Sequence, residues 1–228
     1  MQMMRQLRSG RGRVRAANTP EVPKNPLLQS IARDAAALHR LHELFSSNPA
    51  ALAALEASTQ LIAECHARDC LVYVTGVGKS GIVAQRLAST LASVSIRSQW
   101  IHGSEWVHGE LGNLRHEDVV IILSHSGKTS ELLPLPSLFQ AAECAVVAIT
   151  GDADSPLSLI SDVALVAPAT DRALCPVPSR SIIVQESICN AIVEHLVHRL
   201  GECAVDFRSN HPGGSIGDQF AHKPFVSE

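Results

Sequence analysis

From residue 71 onward, short unbroken apolar runs alternate with stretches in which apolar residues recur every three or four positions. The runs Leu71–Thr75, Ile96–Ile101, Val119–Leu123, Ala145–Thr150 and Val163–Ala167 predict strands buried on both faces, because a half-exposed strand would alternate apolar and polar residues. The stretches between them predict helices over Ser80–Val94, Glu105–Leu111, Ser130–Ala142 (interrupted by Pro134 and Pro136) and Pro156–Ile160. A last helix, Ser181–Leu200, follows a proline-rich loop. Upstream, Leu27, Ile31, Leu38, Leu41, Leu44, Leu52, Leu55, Leu61 and Ile62 fall at helical spacings, and Asn48-Pro49 divides them into two helices. Strand–helix alternation implies right-handed βαβ units. The expected fold class is therefore α/β, one domain over 27–217 with a five-stranded parallel sheet flanked by helices on both faces. In such folds a ligand binds beyond the carboxyl ends of the strands.

The two ends lack this patterning. Residues 1–26 carry Arg5, Arg8, Arg11, Arg13 and Arg15 before the first acid, Glu21, together with Pro20, Pro23 and Pro26. They read as a disordered Arg-rich tail, and residues 218–228 as a second tail. An acid-poor, Arg-rich start also resembles an organelle transit peptide. The expected location is cytoplasmic, with organellar targeting left open. No apolar run approaches the ~20 residues of a membrane span.

Composition removes other classes. The 228 residues are 46% hydrophobic and 18% charged, enough to bury a full core. A formal net charge of −3 supplies no general attraction to nucleic acid, and 4% aromatic residues leave few stacking platforms for single strands. The six cysteines form no Cys-x-x-Cys pair and are expected as buried, reduced thiols. Eleven histidines contain no His-Glu-x-x-His pattern, and no cofactor or metal is expected to be required.

Two short segments carry the chemistry. Gly76-Val77-Gly78-Lys79-Ser80-Gly81 and Ser124-His125-Ser126-Gly127-Lys128-Thr129-Ser130-Glu131 each follow a predicted strand and open a predicted helix. Small residues at such a turn let backbone N–H groups approach an anion, and a helix N-terminus favours negative charge. The first segment matches a dinucleotide fingerprint, but no acid ends the second strand, Trp100-Ile101-His102-Gly103, to hold a ribose. A P-loop would require glycine at position 73, which is Tyr73. In the second segment Ser124, Ser126, Thr129 and Ser130 surround Gly127, and hydroxyl and N–H groups there can all donate to phosphate. An N-cap cluster would account for one hydroxyl, not four. Both segments, including Gly78 and Ser80, are assigned to one phosphorylated ligand.

In order and spacing, residues 77–81, His102-Gly-Ser-Glu-Trp-Val-His108-Gly-Glu-Leu-Gly112, residues 124–131 and His211-Pro-Gly-Gly-Ser-Ile-Gly217 resemble the sugar isomerase (SIS) domain family. The resemblance spans roughly residues 30–217 and is closest to its arabinose 5-phosphate isomerase branch. It implies a single SIS domain catalysing aldose–ketose isomerisation, D-ribulose 5-phosphate to D-arabinose 5-phosphate through an enediol. It also leaves two alternatives, a non-catalytic phosphosugar sensor and an isomerase of another ketose phosphate. The resemblance further implies Lys79 as holder of a sugar oxygen or oxyanion, His211 as acid/base, and Glu131 as loop-ordering group or base. His102 and His108 would touch substrate, or an inhibitory zinc ion at His102.

Two departures stand out. The branch has a glutamate two residues before a Cys-Pro pair; here Ala173 precedes Cys175-Pro176, and Asp171 would serve only if the loop slipped by two residues. Its Thr/Ser-rich run before the last helix is reduced to Ser179-Arg180-Ser181, which leaves Ser181 as a substrate contact and Arg180 as an added phosphate contact. Glu186, one turn into that helix, is the candidate replacement base, with a helix-surface acid as the competing reading. The family implies a homo-dimer or homo-tetramer with shared active sites, the apolar helices of 27–66 forming the interface. The CBS repeats that often follow this domain are expected to be absent.

Overall fold

Each of the first two helices opens on the same pair of residues. Asn25 and Asn48 accept N–H groups of the first turn through their side chains, from Leu27 at 2.9 Å and from Ala50 at 3.0 Å. A proline with no N–H to satisfy follows each of them. Helix α1 therefore runs Pro26–Ser47 and α2 Pro49–Ala67. The computed structural model describes residues 25–169, 177–201, 207 and 209–214. The Arg-rich tail up to residue 24, Asp171, Ala173, Cys175-Pro176 and the tail 218–228 lie outside the described residues; Pro26, assigned to the tail, begins α1.

The alternation follows as expected: β1 Val72–Gly76, α3 Gly78–Ser93, β2 Ser98–His102, β3 Val119–Leu123, α4 Leu135–Ala141, β4 Ala145–Thr150, α5 Pro156–Ile160, β5 Val163–Val166 and α6 Arg180–Leu200. All four strand pairings are parallel, in the order β2-β1-β3-β4-β5. The chain moves outward from β1 to β2 and then crosses to the other side for β3. The carboxyl ends of β1 and β3 thus flank the topological switch point, where a doubly wound sheet leaves a crevice.

Alternate strand residues enter two cores. Val72, Val74, Val119, Ile121, Leu123, Val147 and Ile149 pack under α2, α3 and α6, with α1 lying against α6 and α2. Tyr73, Val120, Ile122, Val146 and Ala148 pack on the other face with Trp106, Leu135, Phe139 and Leu157. Gly76 and Gly81 let α3 approach β1: a Cβ on Gly81 would stand 3.0 Å from the Gly76 carbonyl oxygen.

Two predicted helices are shorter than the periodicity suggests. The segment 105–111 forms two 3₁₀ turns, Trp106–His108 and Glu110–Asn113, broken by Gly109 at φ 124°. The helix expected from Ser130 begins only at Leu135, because Pro134 and Pro136 are tolerated at a helix start and not inside one. Cys65 and Cys144 are buried, and burial pushes their thiols up to about 12 and about 11. Cys189 is buried too, and burial pushes it up to about 12. These three thiols are inert core groups.

Candidate active site

The turn after β1 and the loop after β3 open on one cleft of about 320 Å³. It is lined by Lys79 and Ser80 from the first, by Ser124, His125, Ser126 and Thr129 from the second, and by Ser181 from the first turn of α6. That volume lies at the small end of metabolite pockets, about 300–1,000 Å³. Two long helices, α3 and α6, present their N-terminal ends to it, so the helix dipoles favour an anion there.

The loop 124–131 is held rigidly. Ser124 and Thr129 share a hydrogen bond of 3.0 Å between their hydroxyls, and Ser126 Oγ accepts the N–H of Lys128 at 3.2 Å. Gly127 sits at φ 60°, and a Cβ there would stand 2.1 Å from Ser155 Oγ, so only glycine lets the loop close on the α5 start. Lys128 is directed out of the loop to Asp152, at 3.2 Å. Ser130 donates to Glu131 at 2.9 Å. The Glu131 backbone N–H, then Ser130, hold that exposed carboxyl below the usual glutamate range, with His102 adding to the effect. Glu131 therefore stays ionised and near His102, although neither lines the cleft.

Of the remaining predicted groups, Gly78 opens α3 at φ 61°, with nothing within 4 Å of the place a Cβ would take. His102 bonds Ser104 Oγ through Nδ1 at 2.8 Å, and His108 is exposed at the end of its 3₁₀ turn. Among the described residues no three His, Cys, Asp or Glu side chains cluster as metal ligands. No described helix is long and apolar enough to cross a membrane.

Three further predicted groups pack away from the cleft. Arg180 turns away from the cleft to α1, bonding Asp34 at 3.0 Å and Ser30 at 3.1 Å. Glu186 does not line the cleft; its carboxylate forms an ion pair with Arg86 of α3. The reason is helical phase. Gln185, four residues after Ser181, shares the face that meets Ser80, whereas Glu186 is turned about 100° further round. Ser80 Oγ donates to Gln185 Oε1 at 3.0 Å, and Gln185 is 1% exposed. Glu186→Gln is accordingly expected to leave kcat unchanged while lowering stability by about 1 kcal/mol, as for a partly exposed ion pair. A hundredfold loss of kcat at unchanged melting temperature would make Glu186 a base after all.

His211 is the third. Its ring stacks on Phe207 at 4.0 Å between centroids, and its Nδ1 lies 2.7 Å from the Phe207 carbonyl oxygen. The neighbouring Asn210 bonds Ser93 O at 3.3 Å and Ser95 Oγ at 2.7 Å, at the C-terminal end of α3. Lys79 is at the N-terminal end of the same 16-residue helix. At about 1.5 Å per residue, His211 stands roughly 20 Å from the cleft of its own chain. His125 and Gln185 were not assigned from sequence. The signal for Gln185 was its spacing from Ser181, and His125 lies inside the hydroxyl loop itself.

A parallel sheet with a cleft lined by glycine and hydroxyl turns at its switch point defines a class of doubly wound α/β ligand-binding folds. Within it, the SIS domain model matches residues 69–194, and the chain belongs to the SIS domain family. Arabinose 5-phosphate isomerase KdsD of Pseudomonas aeruginosa is 37% identical over 149 residues, which cover 64% of this chain and 45% of that protein. The chain thus matches less than half the length of this curated relative. A solved structure of an Escherichia coli CFT073 protein in complex with arabinose 5-phosphate superposes with a TM-score of 0.69 at 29% identity, covering 83% of this chain and 100% of that one. The Vibrio vulnificus NanR protein complexed with ManNAc-6P superposes at 0.65 over 79% of this chain and 66% of that one; at 19% identity it shares the fold alone.

Proposed function

We propose that the chain is a phosphosugar aldose–ketose isomerase interconverting D-ribulose 5-phosphate and D-arabinose 5-phosphate. The observation that carries this reading is the cleft that joins the hydroxyl loop of β3 to the Lys79 turn of β1. Ser124, Ser126, Thr129, Ser130 and the Gly127 backbone hold the phosphate. Lys79 and Ser80, on the β1 side, face the sugar oxygens, and Ser181 closes the third side. Isomerisation moves a proton between C1 and C2 and needs a base for the carbon-bound proton and a donor for the carbonyl. Glu131, ionised at the cleft's edge, and His211 share these tasks, with Lys79 stabilising the developing oxyanion.

Because His211 is roughly 20 Å away in its own chain, a second copy supplies it. Subunit association also fits the exposed apolar residues of α1, where Leu27 is 75% and Ile31 64% exposed, and Ile82 at the start of α3, which is 66% exposed. A homo-oligomer with shared sites covers them.

Incubating the protein with ribulose 5-phosphate in deuterated water tests the activity. Arabinose 5-phosphate carrying deuterium at C2 is the expected result. Binding without turnover would instead make the chain a sensor, the reading favoured by Ala173 in place of the family's glutamate. Neither binding nor turnover would redirect the search to other phosphosugars. For the phosphate loop, one charge-assisted hydrogen bond contributes about 1.5–3 kcal/mol. Ser126→Ala is therefore expected to raise KM about 10- to 150-fold with little change in kcat. A loss confined to kcat would remove Ser126 from phosphate binding.

A further inference from the structure

One ring in the cleft has no task in this reaction. His125 stands between Ser124 and Ser126 and lines the cleft. Its side chain lies over the end of β4, in the volume that a side chain at position 151 would need. A Cβ on Gly151 would stand 2.3 Å from His125 Cε1 and 2.5 Å from Nδ1. The backbone fixes this seat: the Gly151 N–H donates to the His125 carbonyl at 2.8 Å, and Thr150 Oγ1 donates to the same oxygen at 3.4 Å.

Seated this way, Nδ1 is sealed from solvent and has no hydrogen-bond partner. Nε2, which is not among the sealed atoms, is the ring's accessible nitrogen. A neutral imidazole has one N–H and one bare nitrogen. Orphaned buried N–H groups are rarer in folded proteins than under-satisfied acceptors, because an unmatched donor forfeits its full desolvation cost. The proton therefore belongs on Nε2, where it can meet a ligand.

We propose that His125, as the Nε2–H tautomer, contacts substrate by donating a hydrogen bond to the ligand's phosphate. The phosphate is the partner because the ring belongs to the hydroxyl loop on the β3–β4 side, whereas Lys79 occupies the β1 side facing the sugar. The loop's own cation does not compete for the position, since Lys128 is engaged with Asp152. The proposal rests on the reading of the cleft as a phosphate site and does not depend on turnover.

Histidine-selective ¹⁵N labelling of the full chain tests it, with the His125 signal assigned by its loss in His125→Gln. The expected spectrum is that of the Nε2–H tautomer, with the Nε2 proton moving downfield on saturation with inorganic phosphate. Glutamine places an amide nitrogen at about the reach of Nε2, asparagine only at that of Nδ1, and phenylalanine fills the seat without a donor. His125→Gln is expected to keep phosphate and arabinose 5-phosphate affinity, while His125→Asn and His125→Phe each weaken both by about tenfold or more. An Nδ1–H tautomer, or wild-type affinity in the asparagine and phenylalanine variants, overturns the proposal alone. Wild-type protein that binds neither inorganic phosphate nor arabinose 5-phosphate overturns the phosphate reading of the cleft, and this proposal with it.

Discussion

Subunits carrying Lys79→Ala and subunits carrying His211→Ala are each expected to be nearly inactive, and to regain activity when the two are coexpressed. The reasoning is geometric. Lys79 opens α3, and Asn210 is tied to the helix's far end at Ser93 and Ser95. A rigid helix cannot bring its two ends together, so a site that needs both groups draws them from two chains. In a mixed dimer one site loses both groups and the other keeps both. Random pairing then restores about a quarter of wild-type activity in a two-fold dimer. Removing an acid/base lowers kcat by about 10²–10⁴-fold, so the recovery stands far above either background. Mixed subunits as inactive as the parents, with association shown by sedimentation, would place His211 in its own chain's site or outside the mechanism.

How much of this was legible in the chain differs from element to element. The strands were, because burial on both faces leaves unbroken runs such as Val119–Leu123, which coincides with β3 residue for residue. That the turns after β1 and β3 open at one edge of the sheet was, because glycines and hydroxyls at a strand-to-helix junction are a local signature, whereas the strand order that makes this edge a switch point came only with the structure. Glu186 illustrates a different limit. A carboxylate one turn into α6 is near enough in sequence to be a candidate base. Yet a single residue of helical phase separates the face of Ser181 and Gln185, which meets Ser80, from the face that meets Arg86. Arg180 shows the same: its charge suited an anion, but a buried guanidinium is satisfied by whichever carboxylate packs nearest, here Asp34. His125 was hidden by its neighbours, since a loop of hydroxyls explains phosphate binding without it. Only the clash expected at Gly151 shows where its ring goes. His211 was legible as a motif but not as a position, because where a segment packs is a tertiary fact that the motif does not carry.

The largest effect on stability is expected from Trp106→Ala. Trp106 is fully buried among Tyr73 and Phe139, at ring-centroid distances of 5.4 and 4.7 Å, both edge-on. Its indole N–H donates at 3.0 Å to Thr75 Oγ1, itself buried on β1 one residue before Gly76. Truncating a buried tryptophan costs about 3–5 kcal/mol through lost burial and the cavity left behind. At about 2–4 °C per kcal/mol for a chain of this size, the melting temperature should fall by about 6–20 °C. Trp106→Phe should cost less, because it keeps most of the packing while losing the bond to Thr75 and part of the buried volume. The effect should also reach the cleft. The Gly103 N–H donates to the Gly76 carbonyl at 3.1 Å, and Gly103 packs closely on Leu132, the neighbour of Glu131. The segment that Trp106 anchors therefore carries His102 and packs against the loop that carries Glu131. Loosening it should lower kcat of the folded fraction as well as stability, whereas unchanged melting would show that the 3₁₀ segment is held by the backbone alone.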